Sequence, residues 1–450
     1  MSGQPLAEIA ELLLAGAKRH GATAADVVVA EGSSLDVGVR LGDIEKLKQA
    51  RQKHLGLRVF IGERSAITSS ADFSRDALER LAEDTCALAR VVAPDPFSGL
   101  PEAAELATTA PDLDLYDPDV ESFTAERALE WAKEAEQAAL SADARITNSE
   151  GGECSASTSH VLYASSVGFR GDYRDTGASL SVVPVASENG AMQRDYWYSA
   201  QRKLARLEAP AAIGRKAAER ALRRLNARSV PTCEVPVIFD PEMSAGLLRH
   251  LAAAVSGYSL YKGTSFLIGK LGERIAPEFV TVVDDGTLPG ALGSKPFDGE
   301  GLATRRTVVV DRGVLTNYLF DAYSARKLKS HSTGNAARSV GSAPQVAPTN
   351  FVLQAGTASP AEIIKSVPSG LYVTELIGFG VNPVSGDYSG GAVGLWIEIG
   401  VLAYPVEEIT IAGTLLAMYN SIEVIGSDLD MRHAVAAPTI KIARMTVAGN

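Results

Sequence analysis

Period-two alternation of apolar residues between clusters of turn residues constrains this chain more than any other feature. Residues 35–41 put Leu35, Val37, Val39 and Leu41 on one side, and residues 55–61 repeat the pattern with Leu55, Leu57, Val59 and Ile61. Successive strand side chains point to opposite faces, so each run reads as a strand with one face buried. That excludes an all-helical fold. Helical spacing is present as well. Leu6, Ile9, Ala10, Leu13 and Ala17 share one side of a helix over 5–20, and Leu78, Leu81, Thr85, Leu88 and Ala89 share one side of a helix that Ser74 caps. Between these helices the pattern predicts three or four short strands. The fold class is α+β.

Proline divides the chain. Pro94, Pro96, Pro101, Pro111 and Pro118 stand in an acidic stretch, so 93–122 reads as a linker or a long surface crossing whose backbone is kept from packing. It closes an N-terminal α/β unit, 1–92. The middle unit, 123–230, opens with a helix from Thr124 to about Ser141. Ser/Gly-rich strands follow over 145–199, with a hairpin at Asn189-Gly190. A basic helix, 210–227, ends it. Pro231 and Pro236 bracket the start of a β-rich C-terminal domain, 231–450. It holds one helix, 241–256, and many short strands, the clearest at 308–310, 371–376, 395–399, 408–411 and 440–447.

Composition narrows the functional classes. There are 43 basic and 54 acidic side chains, a net charge of −11, which argues against a surface that coats nucleic acid or anionic membrane. Cys86, Cys154 and Cys233 are far apart and odd in number, so they imply neither a disulfide framework nor a Cys-x-x-Cys metal pair. No stretch reaches the roughly 18 apolar residues of a membrane span. The first apolar stretch carries Glu8 and Glu11 and ends at Lys18-Arg19, unlike a secretory signal. The expected compartment is the cytoplasm.

Most catalytic motifs are incomplete. A helix-borne zinc site needs paired histidines with a Glu between them, yet none of the six histidines is followed by Glu or has another within five residues. Gly263 to Leu271 resembles a phosphate loop, but its spacing is one residue too long and Leu271 stands where Ser or Thr must ligate magnesium. No Gly-x-Ser-x-Gly elbow occurs. Gly378 to Gly394 is a glycine-dense loop able to line a peptide groove. Asp428, Asp430 and His433 form a weak divalent-cation candidate. Arg202 to Arg228 is strongly basic, with Lys216, Arg220 and Arg223 on one helix face. No aromatics interleave as in single-strand binders, and a solvated helix facing the acidic residues of 95–136 is the simpler account.

Several stretches together resemble the TldD/PmbA family, also known as the peptidase U62 or modulator of DNA gyrase family. They include Ser324-Ala-Arg-Lys-Leu328, Ser332-Thr-Gly-Asn335, Gly380-Val-Asn-Pro383 with Ser385-Gly-Asp-Tyr388, Gly413-Thr-Leu-Leu416, Ile425-Gly-Ser-Asp428, Ala437-Pro-Thr439 and Met445-Thr-Val-Ala-Gly449. In the N-terminal half, Leu57-Arg-Val-Phe-Ile-Gly62 and Asp95-Pro96 with Gly99-Leu-Pro101 fit the same family.

The resemblance implies a branch. The TldD branch carries H-E-x-x-x-H after a Leu-Leu pair, plus a late cysteine, to bind zinc. Here Leu247-Leu248 is followed by Arg249, His250 and Ala254 at the three positions, and no cysteine lies between Asp430 and Pro438. The chain is similar to the PmbA/TldE branch, which implies no catalytic residue and no cofactor of its own, with Zn²⁺ in a TldD-type partner that cleaves unfolded peptides. The implied peptide-binding residues are Asn382, Gly386, Asp387 and Tyr388. The resemblance also admits a homodimer of the isolated chain. An alternative class is a non-catalytic regulator of DNA gyrase or a nucleic-acid complex, which only the basic helix over 215–228 favours.

Overall fold

The computed structural model describes residues 5–449. Three antiparallel strands start the chain: β1 (Ala24–Arg40), β2 (Asp43–Ile61) and β3 (Arg64–Ser70). Helix α1 (Leu6–Arg19) precedes them and α2 (Arg75–Val91) follows. The strands are longer than the alternation predicts, 17 residues in β1 and 19 in β2. The missed part of β2 is exposed on both faces, so no alternation marks it. Ser74 precedes α2 as expected, but its hydroxyl makes no capping bond.

The N-terminal and middle units share one sheet. After a short α3 (Pro118–Glu121) and α4 (Ala125–Leu140) come β4 (Ile146–Ser165), β5 (Arg170–Glu188), β6 (Ala191–Arg194), β7 (Trp197–Gln201) and α5 (Pro210–Leu222). The strand order is β3-β2-β1-β4-β5-β6, with β7 also paired to β5. β1 is the shared strand, bonded to β2 on one side and to β4 on the other, from Asp26↔Ser165 to Val39↔Gly152. The predicted hairpin is present, with Asn189 and Gly190 at φ 52° and 84°, the left-handed pair that suits a tight hairpin turn. α1 and α2 bury Leu13, Ala17 and Cys86 against Val27 and Leu57, and α4 and α5 bury Ala132 and Ala217 against Leu180. On a further cluster, Val28 and Tyr163 of the sheet meet Phe297 of the C-terminal domain.

The C-terminal domain begins at β8 (Cys233–Phe239). β8 lies parallel to strand Ser369–Val381 and antiparallel to Ile440–Ala448. Strand Asp387–Glu398 pairs with Ser369–Val381, strand Val401–Thr414 pairs with Asp387–Glu398, and Thr410↔Ala448 closes the ring. A second, five-stranded sheet includes Val282–Asp285, Arg306–Asp311 and Phe351–Leu353. Helix α6 (Pro241–Ala254) contributes Leu247, Leu248 and Leu251 to the core that also contains Phe239, Phe351 and Leu371. No described helix is long and apolar enough to cross a membrane.

Residues 93–122 are a strap fixed to the rest of the protein, not an unpacked linker. Arg326 donates from Nε to Phe97 O at 2.7 Å and from Nη2 to Gly99 O at 2.9 Å, and Tyr323 donates to Asp95 Oδ2 at 2.7 Å. Further along, Ala107 N–H reaches Gly301 O, Leu113 O accepts from Gly290, and Leu113 and Leu115 are buried. Only short helical turns form here, and the free carbonyls of 97–100 are taken by a guanidinium. The acidic, Pro-rich composition that suggested a loose segment suits a strap bonded through its backbone. Arg326→Ala removes charge-assisted bonds worth about 1.5–3 kcal/mol, so trypsin-free limited proteolysis at 97–101 should speed up about tenfold while the wild-type strap resists.

Candidate functional site

Helix α6 carries Arg249, His250 and Ala254, the positions at which the TldD/PmbA resemblance implies a zinc motif in the other branch. Asp240 caps its N-terminus, accepting the N–H of Met243 at 2.9 Å, and Pro241 stands in the first turn, where no N–H is needed. The helix ends before Gly257. A Cβ there would come within 2.5 Å of the Phe320 ring, so only glycine admits that close packing. The three motif positions have different fates. Arg249 is exposed, His250 is half-buried with its ring edge-on to Tyr388 at 6.1 Å, and Ala254 is buried in the core. Burial, aided by Arg249, holds the His250 imidazole below its ordinary value.

Arg249 opens onto a groove of about 370 Å³. Its floor is made of small residues, Ala252, Ala253 and Ser256, and its far side is Gln345 to Pro348. Strand Gln345–Val346 pairs only with Ala336–Ala337, which leaves its other edge without a strand partner among the described residues. Such an edge can hydrogen-bond an extended peptide.

A polar cluster borders the other end of α6. Tyr196 donates to Glu242 Oε1 at 2.5 Å, and Tyr198 is hydrogen-bonded to His433. The Arg432 guanidinium lies 3.9 Å from the Trp197 ring and donates to Tyr198 O at 2.7 Å. Burial and Arg249 hold His433 below its ordinary value, although Glu242 works the other way. The Tyr196-Trp-Tyr run and Arg432 had no motif to reveal them; the one signal was an aromatic triplet just after a hairpin.

The weak cation candidates do not converge. Asp428 accepts from Thr439 N and Oγ1, Asp430 is bound by Arg432, and His433 faces Tyr198. Among the described residues no group of three or more His, Cys, Asp or Glu is arranged to hold a metal ion. The Gly378–Gly394 segment forms the tip and arms of a hairpin. Asn382 O accepts from Gly386 N at 2.8 Å, its Oδ1 accepts from Val384 N, and Ser385 donates to Asp387 Oδ2. Gly386, at φ +79°, and Tyr388 are buried, while Asn382 and Asp387 are exposed. Tyr388 therefore supports α6 from below through His250, and burial pushes its phenol up to about 12. After Gly263, which ends the short helix α7 (Gly257–Lys262), Ser265 bonds back to Ala254 O at 2.6 Å and no helix begins, so the phosphate-loop resemblance has no anion-binding terminus.

The basic run turns inward. Arg220 is buried between Asp195 at 3.2 Å and Asp240 at 3.8 Å, and Arg224 pairs with Glu375 at 2.5 Å. Burial, with the repulsion of Arg220, lowers Arg223. Lys203 and Arg206 reach Asp114 of the strap, in line with the expected acidic partner. Arg220 thus joins the middle domain to the start of α6 and Arg224 joins it to strand Ser369–Val381, so neither is free to face a nucleic acid.

This fold of three parts around a helix lacking a metal-ligand set can be compared with known proteins. Family models match in order as PmbA/TldA metallopeptidase domain 1 over 25–89, the central domain over 118–225 and the C-terminal domain over 232–449. The chain is 38% identical over 438 residues to the "Metalloprotease PmbA" of Escherichia coli O157:H7, covering 97% of this chain and 94% of that protein. A crystal structure from Bacteroides thetaiotaomicron, described as a candidate modulator of DNA gyrase, superposes with a TM-score of 0.93 at 29% identity over the whole of both chains. TldE from Thermococcus kodakarensis shares the fold, with a TM-score of 0.89 at 22% identity over 98% of this chain and all of that one. The chain belongs to the PmbA/TldD family.

The cap of α6 has a pH signature. Burial raises Asp240 from 3.8 to about 6, opposed by the Met243 N–H and Arg220. The folded state therefore binds this proton more tightly than the unfolded state. The stabilisation is full below pH 4 and lost as pH rises through 6, a swing of roughly 2–3 kcal/mol. Asp240→Asn keeps a capping oxygen. Urea unfolding of both proteins at pH 4 and pH 7 should show the variant gaining on the wild type by about that amount at the higher pH.

Proposed function

We propose that this chain is the peptide-holding subunit, without a zinc ion of its own, of a cytoplasmic two-chain metallopeptidase whose other chain is TldD-like and whose substrates are unfolded peptides. One observation carries the reading: beside α6 lies a groove with a floor of small residues and a singly paired strand as its far side. A peptide in extended form adds to such an edge through main-chain bonds, which gives affinity with little sequence selectivity.

The residues at the family's metal positions do not fit a metal. A guanidinium is a permanent cation with no lone pair to give, and the Ala254 methyl has no donor atom. His250 alone cannot form a site, and its ring is packed on Tyr388. No step of hydrolysis is therefore assigned to α6 of this chain. The activated water belongs to the TldD-type partner, and the work done here is to hold the peptide in register with it. A regulatory role on nucleic acid has little support, since the arginines it would need are spent on Asp195, Asp240 and Glu375.

The test is peptide turnover by each chain alone and by the mixture. Metal-dependent cleavage of an unfolded peptide should appear only in the mixture. Ala253 is exposed on the groove floor, so Ala253→Trp should fill the groove without disturbing the core and lower turnover about tenfold or more. Full activity of the partner alone, unchanged by adding this chain, would refute the reading.

A further inference from the structure

A second cavity, about 460 Å³, lies between the N-terminal sheet, the strap and the C-terminal domain. Its walls include Arg58, Tyr258, Tyr261, Glu300, Asp321 and Tyr323. Tyr258 and Gln345 line both this cavity and the α6 groove, so the two are neighbours. A chain lying in the groove can place one end or one side chain in the cavity.

The charge balance inside favours one kind of guest. Glu300 is 1% exposed and Asp321 3% exposed. Glu300 Oε2 accepts the N–H of Ala322 at 2.9 Å, whereas Oε1 has only an ion contact of 3.5 Å with Arg58 Nη2. Arg58 is committed elsewhere: its Nε and Nη2 both bond Asp26, which Arg338 also binds. The other guanidinium on the wall, Arg326, is spent on strap carbonyls. Asp321 bonds only its own helix start, through Ser324. Two buried carboxylates thus line the cavity; Arg326 is spent on the strap, and Arg58 gives its hydrogen bonds to Asp26 and Glu300 only the 3.5 Å contact. Burial accordingly raises Glu300 to about 7, with Asp298 and Asp321 adding to the effect and Arg58 opposing it. The three tyrosine rings meet edge to face, 5.4 Å and 5.8 Å apart, and their neighbours already include ammonium groups: Lys262 Nζ is 5.7 Å from the Tyr261 ring and Lys327 Nζ 5.4 Å from Tyr323. Ring faces attract cations, and carboxylates in low dielectric do so more strongly. A metal ion is a poorer match, because no third His, Cys, Asp or Glu joins the two carboxylates among the described residues.

We propose that this cavity binds a cationic organic group, a primary ammonium or a guanidinium, with Glu300 and Asp321 as its anionic partners and the tyrosines as its walls. The inference deepens the peptide-holding reading and rests on it only for the source of the cation, which is either the N-terminal ammonium of a peptide or a Lys or Arg side chain.

Calorimetric titration of the full chain with arginine amide and with its neutral isostere citrulline amide tests the cavity itself. Arginine amide should bind about tenfold or more tightly than citrulline amide, and Glu300→Gln should abolish that preference. The Gln variant still accepts the Ala322 N–H, and a matching melting temperature shows that it folds. Tyr258→Leu, at a half-exposed wall residue, gives a second variant and should weaken arginine amide several-fold. Equal binding of the two amides, or a preference unchanged in Glu300→Gln, overturns the proposal. Three unfolded peptides then identify the source: one with a free N-terminus and no Lys or Arg, one acetylated with a single Lys, and one acetylated and neutral. Competition with arginine amide by the first assigns the terminus, and by the second the side chain. If arginine amide shows the preference but no peptide competes, the cation site stands and a peptide as the source of its cation is refuted.

Discussion

Everything in this molecule hangs on a knot of charge buried where the N-terminal sheet meets the C-terminal domain. Asp26 of β1 is fully buried and accepts from Arg58 Nε at 3.0 Å, Arg338 Nη1 at 2.8 Å and Tyr163 Oη at 3.1 Å. Burial alone would raise its carboxyl, but the pull of Arg58 and Arg338 wins and holds it below its ordinary value. Removing one partner of such a set leaves an uncompensated buried charge, which costs far more than a surface pair. β1, β2, β4 and the segment around Arg338 are therefore tied at one point. The same close approach leaves no room for a side chain at Gly56, whose Cβ would fall 1.7 Å from Val340 O.

That knot also sets the chemistry of the cavity above it. Because Asp26 takes the Nε and Nη2 bonds of Arg58, Glu300 receives only a contact of 3.5 Å, and a carboxylate that could have been a structural ion is left weakly paired at the cavity wall. A second seam works similarly on the far side. Arg220 and Asp195 bring α5 to the cap of α6, and Asp195 Oδ2 and Arg223 Nε find no hydrogen-bond partner there. The second seam fixes the start of α6, while the groove beside that helix is lined wholly by residues of the C-terminal domain.

Much of the fold was legible because alternation and capping are local signals. Parts of β1 and β2, α4 after Thr124, the Asn189-Gly190 hairpin and α6 after Asp240 all follow from residues close in sequence, whereas β3 carried no such signal. Long-range placement was not legible. The basic run reads as surface from spacing alone, and only pairing with Asp195, Asp240 and Glu375 shows that it faces inward. The strap reads as loose because proline removes helix, while its anchor, Arg326, lies more than two hundred residues later. The glycine-dense segment over 378–394 looked like a groove. Its glycines instead serve a hairpin, for at Gly394 a Cβ would lie 2.2 Å from Tyr372 O on the neighbouring strand.

The candidate site follows the same division. That α6 lacks a ligand set could be read directly from Arg249 and Ala254, because ligand chemistry depends on side-chain identity. The groove could not, because its far wall is Gln345 to Pro348, a stretch with no motif, brought to α6 only by the fold. Losing metal ligands and losing a binding groove are physically separate events. Ligands are a few side chains on one helix face, and replacing them leaves the buried Leu247, Leu248 and Leu251 in place. The groove depends on small side chains on its floor and on a strand edge, neither of which requires a metal ligand on α6.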